Sequence, residues 1–251
     1  MIKKLEICCY TIQSALLAEK HGAHRIELCD NFMEGGTTPS YSMISKCIEN
    51  VKIPVNVIVR PRGGDFLYSE MEYEIIKNDV TVIKELGANG VVVGFLHSNG
   101  EIDIDKTIEI VDLAKPMEVT FHRAFDMCRD PLLALDQLKK TNITRILTSG
   151  AMNKAIEGIE LIIKLIEKAG NDIIIMPGSG VNEKNLEEII QKTKAKEYHS
   201  SAMTFLNSSM LFTNNNIQMG DAHETNEYKK VSVNTLQIEK MVRILKQHNQ
   251  A

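Results

Sequence analysis

The sequence predicts an α/β protein built as a single (β/α)8 TIM barrel, on three observations. Short β-branched runs alternate with longer amphipathic stretches through the first 200 residues, the pattern of βα units around a parallel sheet. Eight such runs over 251 residues come to about 31 residues per unit, the usual scale of an eight-fold barrel. After the first run stands Cys8-Cys9-Tyr10-Thr11, where a doubly wound open sheet would carry a glycine fingerprint.

The predicted strands are Leu5 to Cys9, Arg25 to Cys29, Val55 to Arg60, Gly90 to Gly94, Glu118 to His122, Arg145 to Ser149, Ile173 to Pro177 and Glu197 to Ser201. Helices are predicted near Ile12 to His21, Tyr41 to Asn50, Met71 to Leu86, Ile104 to Ala114, Pro131 to Lys140, Lys154 to Ala169 and Glu183 to Lys192. Asp130 and Asn153 precede two of them as expected N-caps, and Gly22, Gly87 and Gly170 stand where helices should stop. Residues 204–230, with Asn214-Asn215-Asn216, read as a long irregular βα loop, followed by a closing helix near Val233 to Gln247. No linker divides residues 1–251, so one domain is expected.

Strand alternation selects what points into the barrel. In the first strand Glu6 and Cys8 share a face opposite Leu5, Ile7 and Cys9, and a carboxylate suits the apolar helix interface poorly. The same test sends Glu27 and Cys29 inward from the second strand, so two neighbouring strands present one Glu-x-Cys pattern. Asn56, Arg60, Thr120, His122 and Thr148 continue the polar face. Barrel interiors are usually filled with branched aliphatic residues, so these charges must pair or serve a ligand. Pairing of Glu6 and Glu27 with Arg60 and Arg62 is the structural alternative to a binding site.

Three loops carry candidate chemistry. Arg60-Pro61-Arg62-Gly63-Gly64 follows the third strand with two guanidiniums suited to a carboxylate or phosphate. Gly178-Ser179-Gly180 follows the seventh strand, where barrels often bind phosphate, and His199 and Ser200 end the eighth beside it. His122 ends the fifth strand as a candidate base, ligand or buried hydrogen-bonding residue. Of the five cysteines, Cys8 and Cys29 face the same way from adjacent strands, a soft, low-coordinate pair suited to Cu(I) or two small buried residues. The 12 methionines form no cluster and read as core filling.

Lys plus Arg number 29 against 33 Asp plus Glu, a formal charge of -4 that disfavours nucleic acid or an anionic membrane as partner. No apolar stretch has signal-peptide or bilayer character, and an odd number of cysteines suits a reducing compartment, so a cytoplasmic location is expected.

Taken together, several stretches resemble the CutC copper homeostasis family: Glu6-Ile7-Cys8, the run from Gly22 to Cys29, Glu34-Gly35-Gly36-Thr37-Thr38-Pro39-Ser40, Ile58 to Phe66, Thr120 to Met127, Arg145 to Gly150, Pro177 to Val181 and Glu197 to Ser201. These stand in order across about residues 5 to 220. The resemblance implies a cytoplasmic (β/α)8 barrel that forms a homo-oligomer, takes part in copper tolerance and binds Cu(I) through Cys8 and Cys29. The expectation is therefore a copper homeostasis protein in which Glu6, Glu27 and His122 assist the thiols. The alternative is an enzyme acting on a small phosphorylated or anionic metabolite. It would grip the anion with Arg60, Arg62, Gly178, Ser179, Gly180, His199 and Ser200, and move a proton with His122, Glu6 or Glu27.

Overall fold

Every predicted strand forms, and each is short enough for a helix to return over it. A computed structural model describes residues 2–250 apart from 215, 218 and 220–225. Its strands are β1 (Lys4–Cys9), β2 (Arg25–Leu28), β3 (Val55–Ile58), β4 (Gly90–Val93), β5 (Glu118–Phe121), β6 (Arg145–Thr148), β7 (Ile174–Pro177) and β8 (Glu197–Ser200). They are parallel, in the order β7-β6-β5-β4-β3-β2-β1-β8. The ends of that sheet come together, with the Ser200 hydroxyl donating to Val181 O at 2.6 Å, which makes a nearly closed (β/α)8 barrel.

The outer layer is α1 (Ile12–Lys20), α2 (Tyr41–Asn50), α3 (Glu70–Glu85), α4 (Ile104–Ala114), α5 (Pro131–Leu138), α6 (Ile159–Ala169), α7 (Leu186–Thr193) and α8 (Thr235–Gln250). Local chemistry sets several of their ends. Asp130 accepts from Leu132 N and Leu133 N ahead of Pro131, and Ser69 and Glu72 form a reciprocal capping box on α3. Gly22, at φ +95°, takes the left-handed turn that ends α1.

Asn153 does not cap a helix, contrary to the sequence reading. Residues 154–158 form turns and α6 starts only at Ile159, with Gly158 in the cap position. The cause is tertiary. A Cβ on Gly158 would come within 2.0 Å of Ser149 O, so this turn is pressed against the end of β6 and cannot continue as a regular helix.

The expectation of an irregular segment over 204–230 is corrected at both ends. β9 (Met203–Asn207) and β10 (Lys229–Val233) pair antiparallel as a separate two-stranded sheet. Asn214 and Asn216 are described between them, whereas Asn215 lies outside the described residues.

Alternation along the strands divides the apolar residues as expected. Leu5, Ile7, Cys9, Ile26, Leu28, Val55, Val57 and Val59 belong to the large cluster beneath the helices. Cys8, Cys29, Ile58 and Val92 form a small luminal cluster covered by Tyr10. In β6 the parity is the reverse of the sequence reading. Leu147 lines the lumen, while Thr148 points the other way and donates to Asp126 Oδ1 at 2.5 Å. A buried threonine is compatible with the helix side once a carboxylate receives its hydroxyl.

Candidate metal centre

Charges fill the lower barrel, paired differently from the sequence expectation. Glu6 lies level with Arg25 and His199 in the strand register, and all three point inward. Arg25 Nε donates to Glu6, and Arg25 Nη2 donates to Glu197 at 2.6 Å. Arg145 continues the chain, donating to Glu197 at 3.0 Å, Thr120 at 3.2 Å and Glu118 at 2.7 Å. Burial opposes the Glu6 charge, but Arg25, His199 and Arg145 outweigh it and hold the carboxyl far below the usual range. Arg60 and Arg62, the partners expected from the sequence, stand in the loop beyond β3 and make no ion pair with either glutamate.

Above this layer Cys8 stands level with Glu27, and Cys29 follows at the end of β2. The Cys8 and Cys29 sulfurs are hydrogen-bonded at 3.5 Å. One ligand atom from each of Cys8, Glu27 and Cys29 lies within 4.8 Å of the others, and all three residues are buried. His199 closes the side of the cluster, with Nδ1 2.8 Å from Glu6 Oε1 and Nε2 3.6 Å from Glu27 Oε2.

The environments separate the two thiols. The hydrogen bond with Cys29 holds Cys8 well below the usual thiol range against burial, and His199 adds to that effect. Burial and the neighbouring Cys8 push Cys29 up, and the same two causes raise the Glu27 carboxyl. Burial works against a charge on His199, yet Glu27, Cys8 and Glu6 keep it protonated. The cluster offers one activated sulfur, a second sulfur beside it, and a carboxyl that can yield a proton to an incoming cation. Thiolate-metal bonds of about 2.3 Å place two sulfurs roughly 4 Å apart. The pair therefore needs only a small opening to hold one soft ion.

Cys8, Glu27 and His199 face a cavity of ≈ 350 Å³ at the C-terminal ends of the strands, where barrels carry their sites. Cys8, Tyr10, Glu27 and His199 line one part, while Arg60, Phe66, His122, Arg123, Leu147, Ser179, Gly180 and Ser201 line the rest. Of the residues expected to hold an anion, Arg60, Ser179, Gly180 and His199 meet here. Arg62 instead pairs with Glu72 at 2.5 Å and Asp65 at 3.0 Å, and Ser200 points outward to Val181. Gly178 sits in the wall itself, where a Cβ would lie 2.4 Å from Leu147 Cδ1.

His122 is 4% exposed, and its Nδ1 accepts from Ala124 N at 3.1 Å. An amide can only donate, so the ring proton sits on Nε2. Burial and then Arg60 push the imidazole down to about 3, which favours a neutral ring. Unfolded His122 gains a proton near pH 6.5 and the folded residue only near 3. Stability is therefore withdrawn as pH falls through that window. His122→Asn, whose amide can still accept from Ala124, should lessen the stability lost between pH 7 and pH 5 by about 2 kcal/mol in urea denaturation. An equal loss in both proteins would contradict a neutral His122.

Several participants were not anticipated. Arg25 shares strand parity with Glu27, and Glu197 with His199, so alternation alone was sufficient to place both inward. Tyr10, Phe66 and Arg123 lie beyond strand ends, where alternation carries no information. Asp126 accepts from Thr148 Oγ1, Ser149 N, Ser149 Oγ, Ala151 N and Arg123 Nε, joining the loops after β5 and β6.

The CutC family model matches residues 3–204, which include every strand of the barrel. The chain belongs to the CutC family. It is 45% identical over 224 residues to the mouse copper homeostasis protein cutC homolog, covering 89% of this chain and 82% of that protein. A CutC family protein of Parabacteroides distasonis is 47% identical over 233 residues, covering 92% of this chain and 96% of its own length. The crystal structure of CutC from Streptococcus agalactiae superposes with a TM-score of 0.75 at 36% identity, covering 80% of this chain and 99% of that one. Phosphoribosylanthranilate isomerase from Thermotoga maritima shares the barrel at a TM-score of 0.59 and 11% identity, covering 98% of this chain and 100% of that one, a likeness of fold alone. Among the described residues no helix of this CutC-family chain is long and apolar enough to cross a membrane.

Proposed function

We propose that this chain is a cytoplasmic Cu(I)-binding protein of copper homeostasis that holds its ion between Cys8 and Cys29. The observation that carries the reading is the buried sulfur pair, 3.5 Å apart, with Cys8 at the cavity wall. Two thiolates are soft ligands, and they favour Cu(I) over the hard cations that carboxylates alone would attract. Glu27 supplies a third donor, and His199 with Glu6 orients and balances the charge of the thiols. The other three cysteines lack this arrangement. Cys9 and Cys47 pack in the apolar cluster beneath the helices, and Cys128 lies against it. The homo-oligomer belongs to the same reading, and the exposed Phe205, Leu206, Leu211 and Phe212 offer it apolar surface.

Cu(I) competition against a chromophoric chelator tests the proposal. Cys8→Ser and Cys29→Ser should each weaken binding by about 100-fold or more, since a sulfur ligand is lost in each. Cys47→Ser should bind as the parent does. Affinity should also fall in acid, because thiols lose their protons on ligating a metal. Equal affinity in all of these proteins would exclude the site.

A further inference from the structure

On the wall beside Phe66, the cavity carries two buried donors that the copper reading leaves unused. Arg60 is 5% exposed, and its guanidinium makes three hydrogen bonds, all to backbone carbonyls: Glu34 O at 2.5 Å, Gly36 O at 2.9 Å and Gly64 O at 2.8 Å. Among the described residues no carboxylate forms an ion pair with it, and Nε has no partner. The Glu34 carboxylate on the same wall turns toward Gly63, where a Cβ would meet it at 1.7 Å. Carbonyl dipoles hold this guanidinium in place without cancelling its charge, an expensive arrangement for a buried cation.

His122 is the second donor. The amide of Ala124 occupies Nδ1, so Nε2 carries the proton, and that buried N–H also lacks a partner. Phe66 connects the two, with its ring centroid 4.9 Å from that of His122 and 5.1 Å from the Arg60 guanidinium carbon. The remaining polar groups of this region are committed elsewhere. Arg123 is paired with Asp126, the Ser179 hydroxyl donates to Asn153 O, and Arg62 lies outside with Glu72 and Asp65.

We propose that this wall binds the oxyanion, carboxylate or phosphate, of a small organic molecule, taken by the Arg60 guanidinium and the His122 Nε2–H, with the body of the molecule against Phe66 and Leu147. Both open donors demand an acceptor, and the unpaired guanidinium demands a negative one. The ≈ 350 Å³ cavity limits the ligand to metabolite size and gives it apolar contact as well as charge. The anion site goes beyond copper binding and does not depend on it, although the two ligands would share one cavity.

The test uses the whole chain labelled with ¹⁵N-histidine, kept free of copper by excess chelator, so that a protein unable to bind Cu(I) can still pass. Benzoate, phenyl phosphate and the neutral benzamide are titrated at matched ionic strength while the His122 ring nitrogens and the Tm are followed. Benzoate or phenyl phosphate should move the Nε2 signal of His122 and raise the Tm, and whichever does so identifies carboxylate or phosphate as the favoured group. Arg60→Gln should weaken that binding at least tenfold, while Arg62→Gln should leave it unchanged. If Arg60→Gln does not fold, the ring signal of the unmutated chain still decides. An Nε2 signal that neither anion moves, or binding of benzamide as tight as that of the anions, would overturn the proposal.

Discussion

Arg25→Met is expected to destabilise the protein by about 3–5 kcal/mol, the usual cost of leaving a buried ion pair half-made. Methionine is unbranched and of similar reach, and Arg25 Nη2 already meets the Met176 sulfur at 3.4 Å, so lost packing should contribute little. The cost falls on the carboxylates. Glu6 would retain only His199, at 2.8 Å, and Glu197 only Arg145, at 3.0 Å. The pH dependence has a definite sign. Glu6 is held far below its unfolded value, so its stabilisation is complete above that value and is lost as pH falls below it. Without Arg25 the carboxyl titrates closer to the unfolded range, and this acid-side loss shrinks. Urea denaturation at pH 7 and pH 4 measures both effects. A change below about 1 kcal/mol at pH 7 would show that the luminal network is electrostatically slack.

Gly158→Ala should cost about 3 kcal/mol, at the upper end of what overpacking produces, because the obstruction is backbone and no side chain can swing aside. The added Cβ would lie 2.0 Å from Ser149 O and 2.8 Å from both Gly150 Cα and Gly150 O. Any relief must shift the segment after β6, which Asp126 holds through Ser149 N and Ala151 N. The consequence reaches the cavity rim, since Arg123 donates to Asp126 at 2.8 Å and to Ser149 Oγ at 2.9 Å. A fully stable Gly158→Ala protein with wild-type thermal unfolding would contradict this close approach.

The barrel was legible because each βα unit declares itself locally, through β-branched runs, caps and glycine stops. Strand parity likewise carried Glu6, Cys8, Glu27 and Cys29 to the lumen from the residues alone. Parity misleads at β6, where the polar Thr148 faces the helices and Arg145 and Leu147 share the luminal face. The pairing of the charges was less legible, since it depends on which strands stand level. Glu6 faces Arg25 because β1 and β2 are in that register, a fact no single strand encodes. The loops were least legible. Arg60 and Arg62 look alike in sequence, yet the first turns into the cavity wall and the second outward to α3 through Glu72. Asn153 failed as a helix cap because the Gly150–Gly158 contact, made only in the folded chain, delays α6.

Copper K-edge absorption of the chain loaded anaerobically with one equivalent of Cu(I) tests the central assignment most directly. Two sulfur neighbours at short, low-coordinate distance are predicted for the native protein, and Cys29→Ser should lose that pair while retaining the fold. A spectrum dominated by nitrogen and oxygen neighbours in the native protein, or an unchanged two-sulfur spectrum in Cys29→Ser, would contradict a copper site between Cys8 and Cys29.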